Sequence, residues 1–424
     1  MFAFCGLAVP QIIGTFKIPD LPQDGLMDML LMCILCLLAL LVGFRWTRER
    51  PVFPMIQVST GKLLALSAVL SLVGGIGFFL LMRLPFEELN EGMWSGATVK
   101  YNFFSSACTY GFVISLYLYL RFRSIPGLLI AAANFLFMFD RAFVGGRRSA
   151  AVNLVLCIIL SWWLFRKKTI PRIAVLVIMV LGSIFVNTIS DYRQITLKGD
   201  AFGSLFTGYS LPTLKNLSNI DVKGGFKRLE NESGSEYVGA AYTIASQSKL
   251  GGYDFGLIHW NLLVDNYVPA QLFGQEFKDS CKINLRANEN DYGYEKAKST
   301  ALPGIVDAFC SFWFFGFIKF LVIGAFMGAM MANAKRGNFL VGFIYILLVP
   351  HLLVLVSHPT QFFFLQIPYM VIFLLIPIYL LREHGGSTTR AVRRKNRRGA
   401  STGNSSPENL GVLDQKEETQ TQTT

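Results

Sequence analysis

Charge is what this chain has least of. Only 16% of its 424 residues are Asp, Glu, Lys or Arg, where an ordinary soluble domain carries roughly 25%. That shortage excludes a large, evenly wetted soluble enzyme. Cysteine offers no framework. Cys33 and Cys36 share one apolar run, and Cys5, Cys108, Cys157 and Cys310 also have apolar neighbours. Only Cys281 lies in a polar stretch, so neither a disulfide scaffold nor a zinc site follows from the spacing. The sequence has no Walker phosphate loop, dinucleotide fingerprint, metal-binding histidine cluster or Gly-x-Ser-x-Gly turn, which argues against nucleotide-driven chemistry.

Long apolar runs are what it has instead. Hydrophobic residues make up 53% of the chain. They come in blocks of roughly 16–25, long enough as helix to cross about 30 Å of hydrocarbon. A backbone in lipid must bond to itself, so the blocks read as helices. The expected spans lie at about 1–16, 26–45, 62–82, 103–121, 126–140, 149–166, 173–189, 313–332, 339–357 and 361–381, with 303–312 as a re-entrant or interfacial turn. The run Met1–Phe16 lacks a basic leader and a cleavage site, which favours a short first span over a removed signal peptide. The fold class is therefore an all-α polytopic membrane protein of about ten helices with one large loop. The expected organisation is 1–189 N-terminal helices, 190–302 large loop, 303–382 C-terminal helices and 383–424 a disordered basic tail.

The net charge of +12 is informative by position. Arg45, Arg48 and Arg50 mark one loop as cytoplasmic, and Arg121 and Arg123 mark another. Arg166, Lys167, Lys168 and Arg172, then Lys335 and Arg336, and finally a tail containing Arg390, Arg393 and Arg394 complete the series. Every alternate connection is basic, so both termini face the cytoplasm and the 190–302 loop lies outside. This placement reads as topology and anionic-lipid contact, not nucleic-acid binding.

One external turn breaks the rule. Between two short spans the chain reads Asp140-Arg141-Ala142-Phe143-Val144-Gly145-Gly146-Arg147-Arg148-Ser149. Guanidinium is a bidentate partner for phosphate and keeps its charge, so Arg141, Arg147 and Arg148 are candidate phosphate ligands. The simpler reading pairs Arg141 with Asp140 and lets the others snorkel to headgroups. A second charged cluster, Asp191-Tyr192-Arg193, opens the large loop. Histidine is scarce. His259 in the loop and His358 in the last external turn are candidate bases, with simple packing as the alternative, while His351 reads as part of a span. Lys278 follows an aromatic-rich turn around Pro269 and Gly274 and is a further candidate for a phosphate or sugar carboxylate. The same segment also reads as an amphipathic helix on the membrane. Intramembrane charge is sparse, with Asp307 and Lys319 the exceptions, which counts against an ion-coupled transporter.

The order of these features resembles the Wzy-type oligosaccharide repeat-unit polymerases, the O-antigen and exopolysaccharide polymerases of bacterial envelopes. The resemblance covers about 100–382. It is carried by the Gly145-Gly146-Arg147-Arg148-Ser149 turn, by Asp191-Tyr192-Arg193, by Tyr267-Val268-Pro269-Ala270-Gln271-Leu272-Phe273-Gly274 and by Thr300-Ala301-Leu302-Pro303-Gly304. It implies a helical fold related to the C-type glycosyltransferases, a multi-pass protein of the bacterial inner membrane and a periplasmic loop. Donor and acceptor would both be polyprenyl-diphosphate-linked oligosaccharides, with no metal or other cofactor, and with a flippase and a chain-length regulator as partners. Arg141, Arg147, Arg148, Arg193 and Lys278 would hold the diphosphate, and His259, Asp191 or His358 would take the acceptor proton. An O-antigen ligase of the same fold and a flippase or exporter of lipid-linked glycan are the alternatives.

Overall fold

The computed structural model describes residues 8–83, 97–144, 148–167, 171, 173, 177, 236–268, 270–283, 301–355 and 357–383. Every regular element among them is helical. The first half contains α1 (Val9–Thr15), α2 (Gln23–Thr47) and α3 (Thr60–Met82), then α4 (Thr98–Phe122), α5 (Ile125–Phe143) and α6 (Ser149–Arg166). The loop region contributes α7 (Glu236–Leu250), α8 (Leu257–Tyr267), the single turn α9 (Ala270–Phe273) and α10 (Gln275–Ser280). The chain closes with α11 (Gly304–Phe312), α12 (Phe317–Lys335), α13 (Phe339–Val354) and α14 (Gln361–Leu381).

Seven of the described stretches are long and apolar enough to cross a membrane: α2 to α6, α14, and the composite of α11 and α12. The chain is thus a multi-pass membrane protein, all-helical among the described residues. The expected spans at 26–45, 62–82, 103–121, 126–140, 149–166 and 361–381 coincide with six of them. The stretch 339–357 is the shorter α13. The first expected span is described only from residue 8, where it forms the seven-residue α1. The expected span at 173–189 and the tail from 384 lie outside the described residues, apart from positions 173 and 177. The turn expected at 303–312 is instead a helix in its own right, α11. It ends where Trp313 adopts φ 52°, and a 3₁₀ turn, Trp313–Gly316, leads into α12.

Small residues set the packing. Lipid offers little hydrophobic drive between helices, so spans gain most where their backbones approach closely. Along the α2–α12 seam a methyl group on Gly43 would meet the Leu321 carbonyl, and one on Gly324 would meet that of Leu40. α7 belongs to the sequence's large loop, yet it is buried against the start of α2. Gly25 of α2 faces Ala241 and Ala245 there, and Tyr237 and Ile244 are sealed in. α13 runs through the centre, with Phe343, Ile346 and Leu348 fully buried.

The basic connections collect at one end of the bundle. The Phe53 amide donates to Asn333 Oδ1 at 3.1 Å, and Asn338 Nδ2 donates to the Pro54 carbonyl at 2.9 Å. Lys62 Nζ reaches the Leu381 carbonyl at 3.3 Å. The Tyr117 ring packs on Phe165 and Phe339, and Lys335 lies over Trp163. The opposite end carries Arg141, α7 to α11 and the turn between α13 and α14.

Candidate functional site

A cavity of about 320 Å³ opens at that opposite end, between α4, α5, α6, α13 and α14. Arg141 supplies its cation. α5 widens there into a π turn, Asp140–Val144, a local irregularity that often marks functional positions in membrane and soluble helices alike. Arg141 Nη2 donates to Asn102 Oδ1 at 2.6 Å, which holds the guanidinium against α4. Ser106, Thr109 and Tyr110 continue the α4 wall, and Ser149 and Asn153 of α6 face them. α13 brings Leu347, Pro350, His351 and Val354, and the final segment brings His358, Phe362, Gln366 and Tyr369. No described lining residue is acidic. The wall is therefore largely apolar, with the Arg141 guanidinium and several hydrogen-bonding side chains set into it.

The two histidines differ in how they are held. His351 Nδ1 lies 2.9 Å from the Leu347 carbonyl, one helical turn back. Pro350 beside it has no N–H, so the carbonyl of Ile346 lacks its usual helical donor. His358 Nδ1 lies 2.9 Å from Ser357 Oγ, its ring meets Phe362 edge-on, and burial pushes its imidazole below the ordinary value.

A second polar cluster lies behind the 357–360 turn. Asp307 of α11 accepts from the Thr360 amide at 3.0 Å and from the Thr360 hydroxyl through the same Oδ2. Gly304 N donates to the Leu355 carbonyl at 3.0 Å, so the turn is clipped to α11 at two points. Lys319 Nζ meets His259 Nε2 at 2.8 Å, Ser311 Oγ at 3.1 Å and the Asp307 carbonyl at 3.4 Å. Its three N–H groups are thereby used, and the cation sits over the end of α11, where helix carbonyls favour positive charge. Burial, then the Lys319 ammonium, push His259 down to about 4. His259 is consequently neutral near pH 7, with Nε2 accepting from Lys319 and Nδ1 buried without a partner.

The loop helices fold over this end. Tyr267 Oη donates to the Leu365 carbonyl at 2.7 Å, seating α8 on the segment that walls the cavity. Trp260 Nε1 donates to the Cys281 carbonyl at 2.8 Å, and Lys282 bridges Asp265 and Asp279 at 2.9 and 3.0 Å. Phe255, Trp260, Phe273 and Phe277 remain exposed.

Of the residues singled out in the sequence, Arg141 and His358 meet in the cavity. His259 lies outside it, against Lys319. Lys278 is buried in the loop fold, where Nζ donates to the Asp265 carbonyl at 2.8 Å. Arg147, Asp191 and Arg193 lie outside the described residues, and of Arg148 only the backbone is described. Asn102, Asn153, His351 and Tyr369 are cavity residues that the sequence reading passed over. The signal was present for the asparagines, which are polar groups within apolar spans. Comparison of the chain with protein-family models, with curated proteins and with solved structures gives no match.

Proposed function

We propose that this protein polymerises polyprenyl-diphosphate-linked oligosaccharide repeat units at the outer face of the bacterial plasma membrane. The observation that carries the reading is Arg141. It is a guanidinium braced by Asn102, set in a cavity with two imidazoles, at the end of the bundle away from the basic loops. A diphosphate leaving group develops negative charge as its bond to the sugar breaks. A fixed cation in a site that excludes bulk water stabilises that charge strongly. An imidazole takes the proton of the incoming sugar hydroxyl. The lipid tail of the substrate would lie along the exposed apolar faces of the spans. α8 to α10 would cover the glycan. The order of motifs that resembles the Wzy-type polymerases supports the same substrate class.

A ligase would use the same donor, so the acceptor separates the two. An exporter needs polar groups strung through the bundle. Among the charges described within spans, Asp307 and Lys319 are instead tied to neighbours at one end, and Arg141 lies at that same end. The test is a deletion strain examined for surface glycan. Single repeat units still attached to the surface, with long polymer restored by the wild-type gene and not by Arg141→Ala, are the expected result. Complete loss of attached units would favour a ligase. Normal polymer in the deletion strain would end the polymerase reading.

A further inference from the structure

We propose that His351 is the general base of the transfer, an assignment that rests on the glycosyl-transfer reading above. The cavity contains no described carboxylate, so its proton acceptors near neutral pH are imidazoles. Two histidines, His351 and His358, line it, and His259 lies nearby outside it. His259 has its Nε2 lone pair occupied by Lys319 and its Nδ1 sealed off. His358 faces a serine hydroxyl through Nδ1. A hydroxyl both donates and accepts, so neither tautomer is imposed.

His351 is held differently. A backbone carbonyl only accepts, so the contact between His351 Nδ1 and the Leu347 oxygen puts the ring proton on Nδ1. In the neutral ring Nε2 is then the nitrogen with the lone pair. It has no partner among the described residues and is not among the buried atoms cut off from solvent, while the residue lines the cavity. The helix itself thus presets the basic tautomer. The same carbonyl stabilises the imidazolium once it forms, the role that a second hydrogen-bonding group plays for many catalytic histidines.

The acceptor sugar O–H gives its proton to Nε2 as its oxygen bonds to the donor's anomeric carbon. The bond from that carbon to the diphosphate oxygen breaks, and its electron pair leaves on the diphosphate beside Arg141. The imidazolium then returns the proton to water or to the departing diphosphate. The other titratable groups lining the cavity are Arg141 on α5, Tyr110 on α4, His358 in the turn and Tyr369 on α14.

The experiment uses the full chain in proteoliposomes with a synthetic polyprenyl-diphosphate-linked repeat unit. His351→Ala and His351→Gln are compared with wild type and His358→Ala across pH, with size-exclusion profiles as the folding control. Both His351 variants should lose about 10²-fold or more in turnover, and the fall in rate on the acid side should disappear. His358→Ala should keep that acid limb. Wild-type rates in the two His351 variants, or slow variants that retain the acid limb, overturn the assignment and leave the reaction standing. No product from the wild-type protein overturns the reading beneath it.

Discussion

Arg141 suits a diphosphate because a guanidinium stays charged at any physiological pH. Its planar fork is held by Asn102. Lysine would keep the charge and lose the fork, so Arg141→Lys should retain some polymer while Arg141→Ala loses about 10²-fold or more in turnover, the usual cost of one well-aimed donor to a developing anion. Gel ladders of the surface glycan read both outcomes, and equal ladders would remove Arg141 from the site. The arginine was legible in the sequence because it falls in a turn that the positive-inside pattern sets apart from the basic loops. His351 was not. A histidine inside an apolar run reads as packed, and its contact with Leu347 and its place on the cavity wall are visible only in the structure. Asp307 and Thr360 are 53 residues apart, and no local pattern announces their pairing.

At the scale of elements, the helices follow directly from local rules. Ser124 and Asn338 accept from the amides of Gly127 and Val341 and start α5 and α13, as such caps do elsewhere. The spans were readable because apolar length is additive along the chain. The break between α11 and α12 was only half readable, because it depends on Lys319 and the loop backbone capping α11 from a distance: Asp254 N and Phe255 N donate to the carbonyls of Cys310 and Ser311. That arrangement gives the docked loop a pH dependence. The folded His259 binds a proton less readily than a free imidazole, so docking is fully stabilised above about 6.5 and weakens as pH falls toward about 4. Protonation would set two cations 2.8 Å apart, with Asp254 and Asp307 nearby in partial compensation. Hydrogen exchange in 257–267, corrected for intrinsic rate, should be faster at pH 5 than at pH 8 in wild type. It should respond less in His259→Gln. Identical protection at both pH values would refute this pH dependence.

For the molecule as a whole, the alternation of basic loops now has a spatial counterpart, since the described ones share one end. The large loop is less separate than its polarity suggested. Its α7 is an integral part of the bundle, packed on α2 through Gly25, a contact that composition alone does not reveal. If the loop faces outward, Cys281 is the natural reporter, because the other described cysteines are buried. A membrane-impermeant maleimide should label Cys281 in spheroplasts without permeabilisation, and Cys281→Ser should abolish that labelling. Labelling that requires permeabilisation would invert the topology and with it the site. The central claim is that the Arg141 cavity holds a lipid-linked diphosphate, and photo-crosslinking tests it most directly. A polyprenyl diphosphate carrying a photoreactive group close to its phosphates, bound to the protein in nanodiscs, should attach within 102–110, 138–153 or 347–370. Arg141→Ala should remove the attachment. Crosslinks confined to the region of Lys278, or crosslinking unchanged in Arg141→Ala, would contradict the account.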